Sequence, residues 1–233
     1  MNLLPFLIRL AAGAILGSLL GLILIPPLVR KTVELKNRKH KKPTRLGLMT
    51  GRISRLVSAL TDAVLTALSV ILLPPVPAGF AVVIFQIVIV CVFVDFYIRL
   101  IANEAVVALL VLGVGYRIAA GGPASLLGSL GALGLVLALF VVCALLMMAR
   151  RGTAGVGAGD FKYALVLAVA VGWDNILYFL GGLAAALLIY CLYGVWRRKL
   201  DLSSYFPMCL HLSVGAAAAL LGPGLLTFLS QIF

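Results

Sequence analysis

The chain has 233 residues, of which 64% are hydrophobic and only 11% are charged. Soluble domains contain about 45–50% apolar and about 25% charged residues, so this composition excludes an ordinary water-soluble domain. The net charge is +12. The basic residues lie between hydrophobic runs rather than in a polar domain, which favours a lipid surface over a nucleic acid as their partner.

Apolar segments recur along the whole chain, and a helix needs about 20 apolar residues to cross the hydrocarbon core of a bilayer. Breaks at charges, prolines and glycines separate eight candidate helices, near residues 3–29, 55–73, 79–97, 103–119, 124–148, 161–173, 175–195 and 206–232. The first run is interpreted as a retained span, because its positive cluster follows it, whereas that of a signal peptide precedes it. The sequence therefore predicts an all-α fold: a polytopic transmembrane bundle of about eight spans, forming one membrane-embedded domain over residues 1–233.

Basic residues divide unequally between the two sides that eight alternating spans define. One side, with the segments 30–54, 98–102, 149–160 and 196–205 and the adjoining span ends, holds seventeen of the nineteen Lys and Arg residues, and the other holds Arg9 and Arg117. Lys and Arg accumulate in the cytoplasmic loops of membrane proteins. The basic side is therefore predicted to be cytoplasmic, with both termini outside.

The first cytoplasmic loop, about residues 30–54, is the most basic segment of the chain. Ten Lys and Arg residues occur from Arg30 to Arg55. We interpret the loop as a topology determinant that also contacts anionic lipid of the bilayer. The loop contains no Phe, Tyr or Trp on which bases could stack, so nucleic acid is not a predicted partner.

Cysteine and histidine patterns point to no metal or cofactor. The four cysteines are dispersed and form no C-x-x-C pair, at Cys91, Cys143, Cys191 and Cys209. The two histidines, His40 and His211, are not spaced for zinc or for a catalytic triad. We expect the cysteines to be apolar filler and His211 to pack or to form a hydrogen bond.

Two of the seven acidic residues stand out at predicted helix ends on the cytoplasmic side: Asp95 ends the third span and Asp160 opens the sixth. Ionisable groups close to hydrocarbon are costly and often functional. Two carboxyl groups within hydrogen-bonding distance share a proton, so one of them can act as a general base toward water while the other acts as a general acid. The pair predicts metal-independent peptide hydrolysis.

Asp160 follows a glycine-rich segment, residues 152–159, that includes Gly157 and Gly159. Small residues let another backbone approach closely, as an extended peptide substrate requires. A carboxylate at a helix start is also favoured by the free N–H groups and the helix dipole. Both interpretations, substrate access and helix capping, stay open.

Three segments together resemble the type IV prepilin peptidases, the bacterial branch of the G-x-G-D intramembrane aspartic proteases. The segments are Gly157-Ala158-Gly159-Asp160-Phe161-Lys162, Asp95 followed by Arg99 and Ile101-Ala102-Asn103, and Phe206-Pro207-Met208. Their order and spacing are similar to that family from about residue 79 to the end. The family usually has Pro where this chain has Ala102.

The resemblance implies an aspartic endopeptidase of the inner membrane, with Asp95 and Asp160 as its catalytic residues and with no cofactor. It implies prepilins and pseudopilins as substrates, cut after a short basic leader at the cytoplasmic face. Glu104, beside Asn103, is expected to contact the leader, and Lys162 either orients the site or reaches to lipid headgroups. The loop 30–54 lacks the two C-x-x-C pairs of bifunctional members, so the methyltransferase activity of those members is not predicted.

Other classes of protein fit part of the pattern. A small transporter would line a pathway with Asp62, Asp95 and Asp160, although transporter sites usually lie near the bilayer midplane. A non-catalytic assembly factor of a pilus or secretion machine would keep the spans but tolerate loss of Asp160. An archaeal preflagellin peptidase or a presenilin-like protease would differ in substrate. For Asp62 we favour an ion pair with Arg55 or Arg52, and Asp174 is assigned to structure.

Overall fold

The computed structural model describes residues 3–40, 51–151, 157–197 and 208–231. These residues form nine α-helices and one 3-10 turn, Trp173–Asn175, with no strand among them. The helices are α1 Leu3–Ile23, α2 Ile25–His40, α3 Arg52–Leu72, α4 Pro75–Ile98, α5 Asn103–Gly121, α6 Ser125–Arg151, α7 Ala158–Val171, α8 Ile176–Trp196 and α9 Met208–Ser230. The predicted all-α class is confirmed.

Seven helical segments of the described chain are long and apolar enough to cross a membrane, as expected for a multi-pass membrane protein. The first of them, Leu4–Lys36, combines α1 with most of α2. Helix α7 has 14 residues and is about 21 Å long, too short to be counted. It packs against α5, α6 and α9. Because those helices surround α7, it does not need the length of a spanning helix that is exposed to lipid.

The predicted loop at 30–54 is wrong in its first part, because residues 25–40 form helix α2. The helical run is interrupted at Leu24, just before Pro26 and Pro27, which are tolerated only in the first turn of a helix because they lack an N–H donor. Three residues spaced four apart then bury one face of α2 against α4, namely Ile25, Val29 and Val33. Residues 41–50 lie outside the described residues.

The predicted start of the third span is also shifted, from residue 79 to Pro75. The predicted spans 55–73 and 79–97 leave residues 74–78 as a connection between helices. Pro75 instead occupies the first position of α4, where its fixed φ suits a helix and its missing N–H has no helical partner to lose. Two proline-rich segments thus begin helices, α2 and α4, rather than end them.

Helices α1 and α3 pack together through three glycines spaced four residues apart, Gly13, Gly17 and Gly21. A Cβ added at Gly13 would lie 2.8 Å from Ala67 Cα, and one added at Gly21 would lie 2.6 Å from Ala59 Cα. Real side chains do not approach a backbone so closely. Small residues at this spacing are typical of close contacts between membrane helices. The pairing order shows that α1 and α3 are antiparallel.

The contacts between other helices fix which helix ends lie together. Phe6 of α1 stacks on Phe228 of α9, and Gly224 of α9 packs on Leu72 at the end of α3. These contacts define the distal end of the bundle, where α1 begins and α3 and α9 end. The opposite end, where α2 and α4 end and α3, α5 and α7 begin, is called the basic end here, since Arg52, Arg99 and Lys36 lie there.

Helix α7 lies at the centre of the main apolar core. Its fully buried side chains include Tyr163, Ala164, Leu167, Ala168 and Val171. Helices α6 and α8, in contrast, expose many large apolar side chains, among them Leu127, Leu145, Leu177 and Leu188. A soluble protein would rarely expose so much apolar surface, whereas lipid tails match it.

Candidate active site

Asp95 lies in the last turn of α4, at the basic end of the bundle. The helix ends because Arg99 adopts the left-handed conformation, with φ 50° and ψ 52°. The Arg99 backbone N–H donates to the Asp95 carbonyl oxygen at 2.8 Å, which closes the final turn. The half-buried side chain of Asp95 is thus held about one turn inside the helix end.

Asp160 is the third residue of α7, whose preceding N-cap residue is Gly157. Gly157 is extended, and its carbonyl oxygen accepts the first helical hydrogen bond from Phe161 N at 3.1 Å. The carboxylate of Asp160 turns back toward this residue, since a Cβ added at Gly157 would lie 3.0 Å from Asp160 Oδ2. Any side chain at Gly157 would therefore press on the carboxylate.

Asp95 and Asp160 lie close enough for their charges to interact, although 64 residues separate them in sequence. Both side chains are half-buried. Two carboxyl groups in this position disfavour double ionisation, because like charges repel strongly where water is partly excluded. The structure thus brings together the two residues that the sequence singled out, at the end of the bundle where α4 stops and α7 starts.

The turn between α4 and α5 covers the start of α7. Ile98, Ile101 and Ala102 are buried in this turn. A Cβ added at Gly159 would lie 3.6 Å from Ile101 Cβ, which is an ordinary contact distance. The protein itself therefore leaves room for a methyl group at Gly159. Residues 152–156 of the glycine-rich segment lie outside the described residues.

A polar cluster that sequence reasoning missed lies one turn deeper than Asp160. The Tyr163 hydroxyl is 2.8 Å from Ser213 Oγ of α9, and Ser213 Oγ donates to the Cys209 carbonyl oxygen at 2.6 Å. Cys209 and Cys91 are buried here, and Cys209 lies within electrostatic range of both aspartates. A tyrosine in the otherwise apolar α7 was the available signal, because a buried Tyr hydroxyl needs a partner.

The remaining predicted site residues lie around this end without touching the carboxylates in any contact that the structure records. Asn103 is exposed at the start of α5. Glu104 is exposed and forms an ion pair with Lys36 of α2, with Lys36 Nζ 2.7 Å from Glu104 Oε1. Lys162 is exposed and forms no ion pair with Asp160 among the described residues. The segment Phe206-Pro207 and residue Asp201 lie outside the described residues.

The prediction that Asp62 pairs with Arg55 or Arg52 is wrong. Asp62 is fully buried in the middle of α3. It accepts hydrogen bonds from Thr66 Oγ1 at 3.2 Å and from Gln86 Nε2 of α4 at 2.5 Å. Helical geometry explains the error, because Arg55 lies seven residues away, about 10 Å along the axis. Asp62 also lies apart from the two carboxylates at the basic end.

At the distal end a buried arginine holds the far end of α7. Arg117 of α5 forms an ion pair with Asp174, with Nη2 2.9 Å from Oδ2. The same guanidinium donates to the carbonyl oxygens of Val171, at 3.4 Å, and Ser125, at 3.2 Å. It packs over Gly172, which has φ +69° and where a Cβ would collide with the guanidinium. The assignment of Asp174 to structure agrees with these contacts.

His211 is buried and packs edge-to-face on Tyr190, with ring centroids 5.2 Å apart. Among the described residues there is no group of three or more His, Cys, Asp or Glu side chains that could hold a metal ion. The side chains described at the basic end include the carboxyl groups of Asp95 and Asp160 and, beneath them, the Tyr163 hydroxyl and the Cys209 thiol.

The model of the type IV leader peptidase family matches residues 82–195. Residues 82–195 belong to the type IV leader peptidase family. The resemblance predicted from the segments around Asp95 and Asp160 is thus confirmed over these residues, while the third segment, Phe206-Pro207-Met208, lies outside the match. The leader peptidase region covers just under half of the chain, from α4 to α8, and it includes both Asp95 and Asp160. Comparisons with the curated proteins and with the solved structures give no match.

Proposed function

We propose that the protein is an intramembrane aspartic endopeptidase that removes short basic leaders from prepilins and pseudopilins at the cytoplasmic face of the plasma (inner) membrane. One observation carries the proposal. In the leader peptidase region, two carboxyl groups from distant parts of the sequence lie within electrostatic range of one another at one end of a membrane bundle. In a chain with 64% hydrophobic residues, two half-buried carboxyl groups at one place call for a chemical role.

The proposed reaction uses one ionised and one protonated carboxyl group. The ionised group removes a proton from a water molecule, whose oxygen attacks the scissile carbonyl carbon, while the protonated group donates its proton to the carbonyl oxygen. The tetrahedral product then collapses. The group that took the proton from water passes it to the amide nitrogen, and the other group takes a proton from a hydroxyl of the intermediate as the C–N bond breaks and the new carboxylic acid forms. The two carboxyl groups are then left sharing one proton again.

The surroundings of the pair suit a substrate that is itself a membrane helix with a polar leader. The helices of the leader peptidase region expose apolar side chains along their length, including Leu177 and Leu188 of α8, so an apolar substrate helix can lie in the lipid beside them. Its leader would then reach the carboxyl groups at the basic end. Gly159, beside Asp160, has no side chain to obstruct an approaching substrate backbone.

Glu104 is the proposed contact for the positive charge of the leader. Its side chain is 73% exposed although it pairs with Lys36. An exposed ion pair contributes only about 0–1 kcal/mol, so a basic leader can replace Lys36 as the partner. The cleavage reaction itself does not depend on this contact.

Co-expression with a candidate prepilin tests the proposal, with leader removal followed as a shift in gel mobility. Asp95→Asn and Asp160→Asn are each expected to reduce cleavage by about 10²–10⁴-fold, because each removes one member of the acid–base pair. Glu34→Gln is the matched control. Glu34 is an exposed acid of α2 whose partner is Arg30, and its substitution should leave cleavage unchanged.

Undiminished cleavage by either Asn variant would remove that residue from the catalytic pair. Equal loss in Glu34→Gln would show that the assay responds to charge at the basic end rather than to the carboxyl pair. Accumulation of both Asn variants in the membrane at the wild-type level is required, and it is measured on the same gel.

A further inference from the structure

The pair formed by Asp62 and Gln86 lies in the middle of the bundle and belongs to no role assigned so far. Asp62 is the eleventh of the 21 residues of α3, and Gln86 is the twelfth of the 24 residues of α4. Asp62 is fully buried and Gln86 is 7% exposed. Thr66 and Gln86 both donate to the same oxygen, Asp62 Oδ1.

Two oxygen atoms of this pair are left without a hydrogen bond. They are Asp62 Oδ2 and Gln86 Oε1, and both are buried. Buried polar atoms in proteins almost always have a partner, so two orphans on one interacting pair require an explanation. Both orphans are acceptors when the acid is ionised. They therefore cannot satisfy one another unless a proton is added.

Charge around Asp62 does not compensate an ionised carboxylate. The described residues form no ion pair with it. The helices packed on α3, and α3 itself, carry charged residues that form no ion pair with Asp62 in the described part of the chain: Arg9 on α1, Arg30, Lys31, Glu34 and Lys36 on α2, Arg52 and Arg55 on α3, and Asp95 on α4. Helix α9 also packs on α3 and carries no Asp, Glu, Lys or Arg, although it carries His211. A carboxylate in the centre of a bilayer bundle is costly without a cation.

We propose that the Asp62–Gln86 pair is a proton-binding site, in which a proton on Asp62 Oδ2 is donated to Gln86 Oε1. The acid and the amide then exchange two hydrogen bonds, one in each direction. Both orphaned oxygens are satisfied at once and no net charge remains in the span. The proton comes from water when the chain folds, and no other reactant is needed.

The site joins two parts of the protein. Asp62 lies on α3, which packs against α1 at Gly13, Gly17 and Gly21. Gln86 lies on α4 inside the leader peptidase region, nine residues before Asp95. Hydrogen bonds of the protonated pair thus join the N-terminal helices to α4, the helix that contains Asp95. The inference stands independently of the proposed function.

Infrared difference spectroscopy of the full chain in lipid vesicles tests the proton directly. The wild-type spectrum minus that of Asp62→Asn, both at pH 7, should show the loss of a carbonyl band of a protonated carboxylic acid. Loss of carboxylate bands instead would overturn the proposal. Asp95→Asn provides a separate difference spectrum, so that a proton shared at the basic end is not mistaken for the one on Asp62.

Thermal unfolding of the same proteins provides a second test. Asn at position 62 keeps an oxygen for Gln86 Nε2 and supplies an N–H for Gln86 Oε1, so Asp62→Asn should melt within about 2 °C of wild type. Asp62→Leu and Gln86→Leu each orphan a buried partner and should melt lower by roughly 5 °C. The double Leu variant should recover part of that loss. Equal destabilisation by Asn and Leu at position 62 would contradict the neutral pair.

The alternative to a proton at this site is a bound metal cation. Thermal unfolding also distinguishes these two possibilities. The wild-type melting temperature should be the same in sodium and in choline salts of equal ionic strength. A melting temperature that is higher in sodium than in choline for the wild type, but not for Asp62→Asn, would contradict the proposal. It would indicate that the two orphaned oxygens bind a metal cation.

Discussion

The two ends of helix α7 are built in opposite ways. At the distal end the buried guanidinium of Arg117 binds the carbonyl oxygen of Val171 and pairs with Asp174, so the helix end is fixed by hydrogen bonds within the protein. At the basic end Asp160 lies three residues after Gly157, and its half-buried carboxyl group lies within electrostatic range of Asp95. One end pairs a cation with its partners, and the other keeps two acidic groups close together.

This difference indicates a division of roles along one short helix. A buried arginine bound to carbonyl oxygens stabilises the end of α7, because a cation near a helix C-terminus also interacts favourably with the dipole. Two acidic groups held close together and half-buried at the other end cost stability, and such arrangements are typical of functional sites. Substitutions at the distal end should therefore change stability, and substitutions at the basic end should change activity.

The largest effect on activity that sharpens this comparison is expected from Gly157→Ala. The added methyl group would lie 3.0 Å from Asp160 Oδ2, so the carboxylate would have to move by a few tenths of an ångström. Because a displacement of about 1 Å at a reacting group can lower a rate by about 10²-fold, we expect leader removal to fall by roughly several-fold. The melting temperature of the protein should stay almost unchanged. A lower yield of folded protein, with unchanged activity per folded molecule, would show that the basic end also contributes to stability.

Gly159→Ala is the matched comparison for Gly157→Ala. A methyl group there meets only Ile101, at an ordinary distance of 3.6 Å, so the fold should accept it. If the substrate backbone passes over Gly159, kcat/KM should fall mainly through a higher KM. Unchanged kinetics would show that the substrate backbone does not pass over Gly159. A lower melting temperature would show that the added methyl group does not fit beside Ile101.

At the distal end, Arg117→Ala should lower the free energy of unfolding by about 2–3 kcal/mol, because it removes buried hydrogen bonds from a charged group to two carbonyl oxygens and a carboxylate. Thermal unfolding in detergent measures the effect. Cleavage per folded molecule should stay near the wild-type value. A large loss of activity at full stability would break the comparison, since it would mean that the distal contacts also set the geometry at Asp160.

The smallest effect is expected from Asp174→Asn. The Asp174 side chain is 73% exposed while that of Arg117 is 5% exposed, so water screens most of the attraction and the arginine keeps its carbonyl partners. We expect a loss of stability below about 1 kcal/mol. A loss as large as that of Arg117→Ala would show that the ion pair, rather than the carbonyl contacts, fixes this end of α7.

The sequence predicted those features of the fold that follow from hydrophobic length and from motifs. The apolar runs predicted the positions of α3, α5, α6, α8 and α9 to within a few residues, because lipid demands long apolar helices whatever their packing. The two aspartates were found because the chain has only seven acidic residues and these two lie at the edges of apolar segments. Their side-chain positions in the folded bundle needed the structure.

Features that depend on contacts between helices were missed or misjudged. The helix over residues 25–40 was predicted as loop after Arg30, because its basic composition hides the buried face formed by Ile25, Val29 and Val33. Asp62 was paired with arginines of its own helix, since nothing in the sequence identifies Gln86 of another helix as its neighbour. The side-chain partners of Arg117 and Tyr163 could not be predicted either, because they lie 50 or more residues away in the sequence, Asp174 for Arg117 and Ser213 for Tyr163.

The pH dependence of leader removal by the purified protein tests the central claim most directly, namely that Asp95 and Asp160 act as one acid–base pair. If the reaction needs a single proton on the pair, kcat/KM should fall at low pH, where both groups are protonated, and again at high pH, where both are ionised. The substrate and the fold must stay intact over that range. A rate that reaches a plateau at high pH, with the protein still cleaving when both carboxyl groups are ionised, would contradict the account.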